Sequence, residues 1–136
     1  TGPLHRGTEL HGFLSYLIKA AKEKKKYYVF GYKGKQVRDN IHSEDVVQAL
    51  WEYYIIENNS GVYNIGGGRS NSCSILEIVD ILKNKHDIDL KYQILKKNRS
   101  GDHIWYISNN SKFQTRHKNW KIKRKLDSII SEIVEN

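Results

Sequence analysis

Apolar residues recur at spacings of three and four from Glu9 to Lys24, where Leu10, Phe13, Leu14, Leu17, Ile18 and Ala21 form one stripe. That period predicts a surface helix with a single buried face. Lys22, Lys24, Lys25 and Lys26 close it, at the end where the helix dipole favours cations. The pattern then shortens. Tyr27-Tyr28-Val29-Phe30 predicts a strand, Gly31 to Lys35 a turn, and Gln36 to Ile41 an extended run that carries Arg38. A second helix is expected from Ser43, which is suited to cap it, with Glu44 and Asp45 in the first turn. Val46, Val47, Leu50, Tyr53 and Tyr54 are its expected buried face, and Asn58-Asn59-Ser60-Gly61 its end.

Val62-Tyr63-Asn64-Ile65 reads as a further strand running into Gly66-Gly67-Gly68. Ser74-Ile75-Leu76-Glu77 has the form of a capping box, so a third helix should start there and bury Ile75, Ile78, Val79 and Leu82. Leu90 to Leu95 and His103 to Ile107 are strand candidates. Asn109 is placed to cap a short helix through Lys112 and Phe113, and Leu126, Ile129, Ile130 and Ile133 mark a last amphipathic helix. Helices and short strands alternate, an α/β or α+β layout of which α/β is the expected class, with too few strands at the start for a complete doubly wound sheet.

Composition narrows the function classes. A chain of 136 residues, 38 % of them hydrophobic, is enough for one compact core. The single cysteine, Cys73, forms no internal disulfide, and no apolar run reaches the length of about 18 residues that reads as a membrane span. With no signal-peptide layout, a cytoplasmic protein without membrane partners is expected. The formal net charge of +8 favours anionic partners, whether nucleic acid, membrane or a phosphorylated metabolite. The densest basic run, Arg116 to Lys125, reads as a solvated face rather than a nucleic-acid surface.

Two arginines in loop-like contexts carry the candidate chemistry: Arg38 before Asp39, and Arg99 in Arg99-Ser100-Gly101-Asp102. A planar guanidinium suits phosphate oxygens or a carboxylate. For Arg38 an internal pair with Asp39 or Glu44 stands as the structural alternative; for Arg99 the alternative is an ordinary Ser-Gly turn. Gly66-Gly67-Gly68 lies too far ahead of the helix start at Ser74 to act as a phosphate loop, so these glycines are expected to let backbone approach another element, with Asn64 holding the loop. The histidines show no metal-binding spacing, so no metal site is expected. Cys73, beside that helix start, reads as an inert, partly buried thiol.

Taken in order, these segments resemble the extended short-chain dehydrogenases that act on nucleotide-sugars, the NAD-dependent epimerase/dehydratase family, and most closely its CDP-paratose 2-epimerase (CDP-tyvelose epimerase) group. The likeness rests on TGPLHRGTELHGFLSYLIKA at 1–20, FGYKGKQVRDNIHSEDVVQA at 30–49, GVYNIGGGRSNSCSILEIVDIL at 61–82 and RSGDHIWYISNNSKF at 99–113. The chain departs from the family at Asn109, where Asp is common, and at Asn119-Trp120-Lys121-Ile122, where Gly-Trp-x-Pro is usual. The resemblance implies that residues 1–136 form a C-terminal substrate-binding region whose partner is a nucleotide-diphosphate sugar, not a nucleic acid. On that reading Arg38 grips the pyrophosphate, Arg99 is a second clamp, Asp102 orients the nucleotide end, and the Gly2–Gly12 stretch lines the sugar pocket. It also implies that the Rossmann part is missing. NAD would then be bound by that missing N-terminal part, the catalytic Tyr-x-x-x-Lys pair would lie outside this chain, and the chain would be inactive alone. No catalytic, cofactor-binding or metal residue is therefore expected within it, and a homodimer is expected only of the complete enzyme. The alternatives are a basic nucleic-acid-binding module or a non-catalytic remnant.

Overall fold

The computed structural model describes residues 1–9, 11–57 and 60–136. Leu10 of the first stripe and the Asn58-Asn59 terminator lie outside the described residues. Helix α1 runs over Phe13–Lys22 and β1 over Tyr27–Phe30. Gly12 enters α1 in the left-handed region (φ 72°), so the helix begins four residues later than the stripe predicts. Strand β2 spans Val37–Asp39, α2 spans Ser43–Ile55, β3 spans Ser72–Ser74 and α3 spans Ile75–His86. Then come β4 (Tyr92–Leu95), β5 (Trp105–Tyr106), α4 (Ser111–Arg116) and α5 (Leu126–Glu135). Residues 62–65 are irregular rather than a strand. The Tyr63 ring is drawn instead onto Tyr53, Phe113 and His117.

The strands make two small sheets. β1 lies parallel to β4, Tyr27 opposite Tyr92 and Phe30 opposite Leu95. Parallel strands need a long crossover, and the one between them contains β2, α2, β3 and α3. The second sheet has the order β3-β2-β5, antiparallel at β2/β3 and parallel at β2/β5. The α/β expectation holds. Its description as a C-terminal region without any Rossmann part does not, because β1 and β4 form a parallel pair, the strand arrangement typical of dinucleotide-binding sheets.

The main core lies where α1, α3 and α5 meet β1. Leu14, Leu17, Ile18, Val29, Ile78, Leu82, Ile129 and Ile130 are buried there. The capping box forms as the sequence predicts, the Glu77 N–H donating to Ser74 Oγ at 3.2 Å and the Ser74 N–H to Glu77 Oε2 at 2.6 Å.

Helix α2 departs furthest from expectation. Its cap is His42, whose Nδ1 accepts from the Glu44 N–H at 3.2 Å, rather than Ser43. Its buried positions are Asp45, Ala49 and Glu52, while Val47, Leu50, Trp51 and Tyr54 are exposed. Val46 and Tyr53 of the expected face are half-buried, and the segment that covers the helix explains the difference at the other positions. Residues 117–124 present N–H groups: the Asp45 carboxylate accepts from the Lys123 and Arg124 backbones at 3.1 Å each, and its carbonyl from Trp120 Nε1 at 2.9 Å. A polar face is buried because donors meet it there.

Candidate functional site

β2 is the middle strand of its sheet, so its side chains are held from both edges. Gln36, just before the strand, and Arg38 lie two residues apart and therefore on one face. Arg38 Nη1 donates to the Val37 carbonyl at 2.7 Å, and Nη2 reaches the Asp102 carboxylate and the His103 carbonyl. The partner of Arg38 is thus Asp102, across 64 residues, and neither of the expected local carboxylates. Asp39 turns to the glycine loop instead, its Oδ2 accepting from the Gly68 N–H at 2.8 Å and the Ser108 N–H at 3.0 Å. Glu44 is taken by Arg124, at 2.9 and 2.6 Å.

Residues 99–102 form a turn, the Asp102 N–H donating to the Arg99 carbonyl at 3.3 Å, and Tyr32 Oη ties the turn down at the Asp102 carbonyl, also at 3.3 Å. The Arg99 guanidinium carbon stands 4.3 Å from the centre of the Phe30 ring. Stacking uses the face of the guanidinium and leaves its N–H rim for an anion. Among the described residues no carboxylate lies within ion-pair distance of Arg99.

Arg38, Arg99 and Asp102 line one cleft of about 450 Å³, together with Tyr27, Tyr28, Phe30 and Gln36. The cleft lies along β1, with Tyr27, Tyr28 and Phe30 on one side and Gln36 to Ile41 of the β2 segment on another. Burial pushes the Tyr27 phenol up to about 12, so this wall of the cleft stays uncharged.

The glycine loop takes no part in the cleft. A Cβ on Gly67 would collide with the Asn40 backbone, and one on Gly66 with Ser108 and with Asp39. These glycines let the loop pass close to β2, as expected. The side chain that clamps them is Asn110, accepting from the Gly66 N–H at 3.0 Å and donating to the Gly66 carbonyl at 2.8 Å. Sequence reasoning gave that task to Asn64. In the basic run Arg116, Lys118, Lys121, Lys123 and Lys125 are exposed, while His117 and Trp120 are buried and Arg124 is paired with Glu44 and Glu132. Among the described residues no group of three or more metal-ligating side chains comes together, and no helix is long and apolar enough to cross a membrane.

Known proteins supply the context for this geometry. Residues 1–66 match the model of the NAD dependent epimerase/dehydratase family. Over 102 residues the chain is 31 % identical to the CDP-paratose 2-epimerase of Salmonella typhi, an alignment that takes in 69 % of this chain and 30 % of that protein. Two solved structures share its fold at 24 % identity over 99 % of its length. MoeE5 in complex with UDP-glucuronic acid and NAD has a TM-score of 0.86, with 43 % of that chain covered. The UDP-glucuronic acid 4-epimerase from Bacillus cereus, in complex with UDP-glucuronic acid and NAD, has 0.85, with 41 % covered. The chain therefore spans less than half the length of these proteins. The family model, the Salmonella typhi relative and the Bacillus cereus structure are each described as an epimerase, and both solved structures hold NAD and UDP-glucuronic acid.

These findings correct four linked expectations. The family match begins at residue 1 and includes β1 of the parallel pair, so the chain is not a C-terminal region from which the Rossmann part is missing. The statements that the chain lacks the cofactor site, that NAD is bound by a missing N-terminal part, and that the chain is only an inactive substrate-binding part fall with it. The Tyr-x-x-x-Lys expectation also needs correcting, because Tyr92 and Lys96 have that spacing. They lie along β4 and its exit, where four residues of extended chain span roughly 13 Å, against the 5–6 Å of one helical turn. A strand keeps the two side chains apart.

Proposed function

We propose that the cleft binds a nucleoside-diphosphate sugar, with residues 1–136 acting as one nucleotide-sugar-binding unit in an NAD-dependent epimerisation in the cytoplasm. The observation that carries this reading is the meeting of Arg38, Arg99 and Asp102, 64 residues apart at their extremes, on a single cleft. The lone, buried, reduced cysteine supports the cytoplasmic setting.

The roles follow from the contacts. Arg38 is held in one orientation by Asp102 and two carbonyls, so it presents its remaining N–H edge without further ordering. Arg99, stacked on Phe30, supplies the more adaptable second cation. Asp102 neutralises part of Arg38 and keeps acceptor capacity for a hydroxyl at the nucleotide end. Two guanidinium groups and one diphosphate form charge-assisted hydrogen bonds that fix where the sugar projects. The same donors suit the diphosphate of NAD. That cofactor, when bound, supplies the acceptor for a hydride removed from the sugar and later returned.

Isothermal titration of the chain with inorganic pyrophosphate, CDP and UDP tests the reading. Arg99→Gln should weaken all three on the order of tenfold with an unchanged melting temperature, since among the described residues the Arg99 side chain rests only on the Phe30 ring face. Arg38→Gln should lose affinity and stability together. A wild-type chain that ignores pyrophosphate at millimolar concentration would rule the reading out.

A further inference from the structure

The turn between β1 and β2 holds a conformation that its residues resist. Gly31, Tyr32, Lys33 and Gly34 all have positive φ, at 63°, 47°, 53° and 75°. Glycine takes such angles freely, whereas two adjacent residues with side chains take them against their own sterics. Strain of this kind persists only where the surroundings hold it. Here they do. The Gly31 N–H donates to the Leu95 carbonyl at 2.9 Å, and a Cβ on Gly31 would collide with Asn98. The turn is thus seated on the chain that leads from β4 to Arg99. Tyr32, so oriented, sends its hydroxyl to the Asp102 carbonyl at 3.3 Å, 70 residues further on.

That contact matters because the 99–102 turn has little else to fix it. A Cβ on Gly101 would meet nothing within 4 Å, so no packing holds the tip. The turn closes on itself, through the Asp102 N–H and the Arg99 carbonyl. Among the described residues the Tyr32 hydroxyl is the one hydrogen-bond donor that ties the backbone of 99–102 to another element. Tyr32 itself does not line the cleft, so its influence on a ligand passes through the turn.

We propose that Tyr32 is a positioning residue: its hydroxyl fixes the 99–102 turn, so that Arg99 and Asp102 are held on the cleft with Arg38 before a diphosphate arrives. This rests on the nucleotide-sugar reading above. Ordering a loop and its side chains during binding subtracts from affinity, and a turn fixed beforehand avoids that loss. The strain at residue 32 is the counterpart in the free chain. A glycine there would relax the backbone but bring no hydroxyl.

Titration of the 136-residue chain with inorganic pyrophosphate tests it. Tyr32→Phe keeps the ring, removes the hydroxyl and should weaken pyrophosphate about fivefold. In an Arg99→Gln background the same change should cost less than about twofold, because the clamp that it positions is gone. A merely structural tyrosine would lower the melting temperature and cost the same factor in both backgrounds. Amide exchange of the wild-type chain gives a second readout, should the variant fold poorly. The Asp102 amide should be protected in the free chain, and its exchange should slow by less than about threefold when pyrophosphate saturates. Equal losses in the two backgrounds, no loss at all, or an unprotected Asp102 amide in the free chain would each overturn this inference alone. A wild-type chain that does not bind pyrophosphate overturns the underlying reading with it.

Discussion

Asn110 shows what a single side chain does here that its neighbours in sequence conceal. Asn109 was the expected cap of the short helix, and its Oδ1 does accept from the Ser111 N–H at 2.9 Å. Asn110 instead reaches 44 residues back and satisfies both backbone groups of Gly66. Replacing it with alanine leaves a buried donor and a buried acceptor unmade, a loss of about 1–3 kcal/mol for each orphaned group. Urea unfolding of Asn110→Ala should show that fall in stability, with an unchanged dependence on denaturant; a change under about 0.5 kcal/mol would mean that the clamp contributes little. The candidate site was legible at this scale in its residue types but not in its pairs. Arg38 and Arg99 stand out as phosphate-suited guanidinium groups, and Asp102 enters only through the family resemblance, yet nothing local ties Arg38 to Asp102 rather than to Asp39. Which carboxylate meets which guanidinium is set by the fold, across 64 residues.

Among the elements, those with a local cause were readable and those with a distant cause were not. β1 was read at Tyr27–Phe30 as observed, and α3 starts where its capping box requires, because both signals lie within a few residues of one another. Helix α2 lies where the sequence places it, but only part of its expected face is covered: Val46 and Tyr53 are half-buried, whereas Val47, Leu50 and Tyr54 are exposed. Apolar periodicity assumes that the covering element is apolar, whereas here it is a run of backbone N–H groups and an indole. The two facings predict opposite outcomes for the same substitutions. Leu50 is 65 % exposed, so Leu50→Glu should shift stability by no more than about 0.5 kcal/mol. Asp45, 2 % exposed and accepting two backbone N–H groups, should cost about 2–4 kcal/mol when replaced by alanine. Thermal melts of the two variants decide between the facings: if the Leu50 variant is the less stable, α2 packs as its apolar residues predict.

For the molecule as a whole, the placement of two ionisable groups in the main core sets a limit on its stability in alkali. Burial, with the Glu77 charge adding to it, pushes the Cys73 thiol from 9.0 to about 12, against a weaker opposing hydrogen bond from Asn40. Burial does the same to Tyr27, from 10.0 to about 12, with the Arg99 charge opposing. Both groups keep their protons in the folded chain at pH values where the unfolded chain releases them. The folded state then binds more protons, so stability must fall as pH rises: first above about 9 through Cys73, then more steeply above about 10 as Tyr27 joins. Each group adds a slope of up to about 1.4 kcal/mol per pH unit. Loss of lysine charge over the same range also acts on a chain of net charge +8, so the wild-type curve is not diagnostic by itself. The variants separate the causes. Cys73→Ala should remove the part of the decline that begins near pH 9, and Tyr27→Phe the part that begins near pH 10, while lysine titration is common to all three chains. Urea midpoints between pH 8 and 11 are the measurement. If the three curves stay parallel, neither group is withheld from solvent, and the core that positions the cleft is more open than its packing indicates.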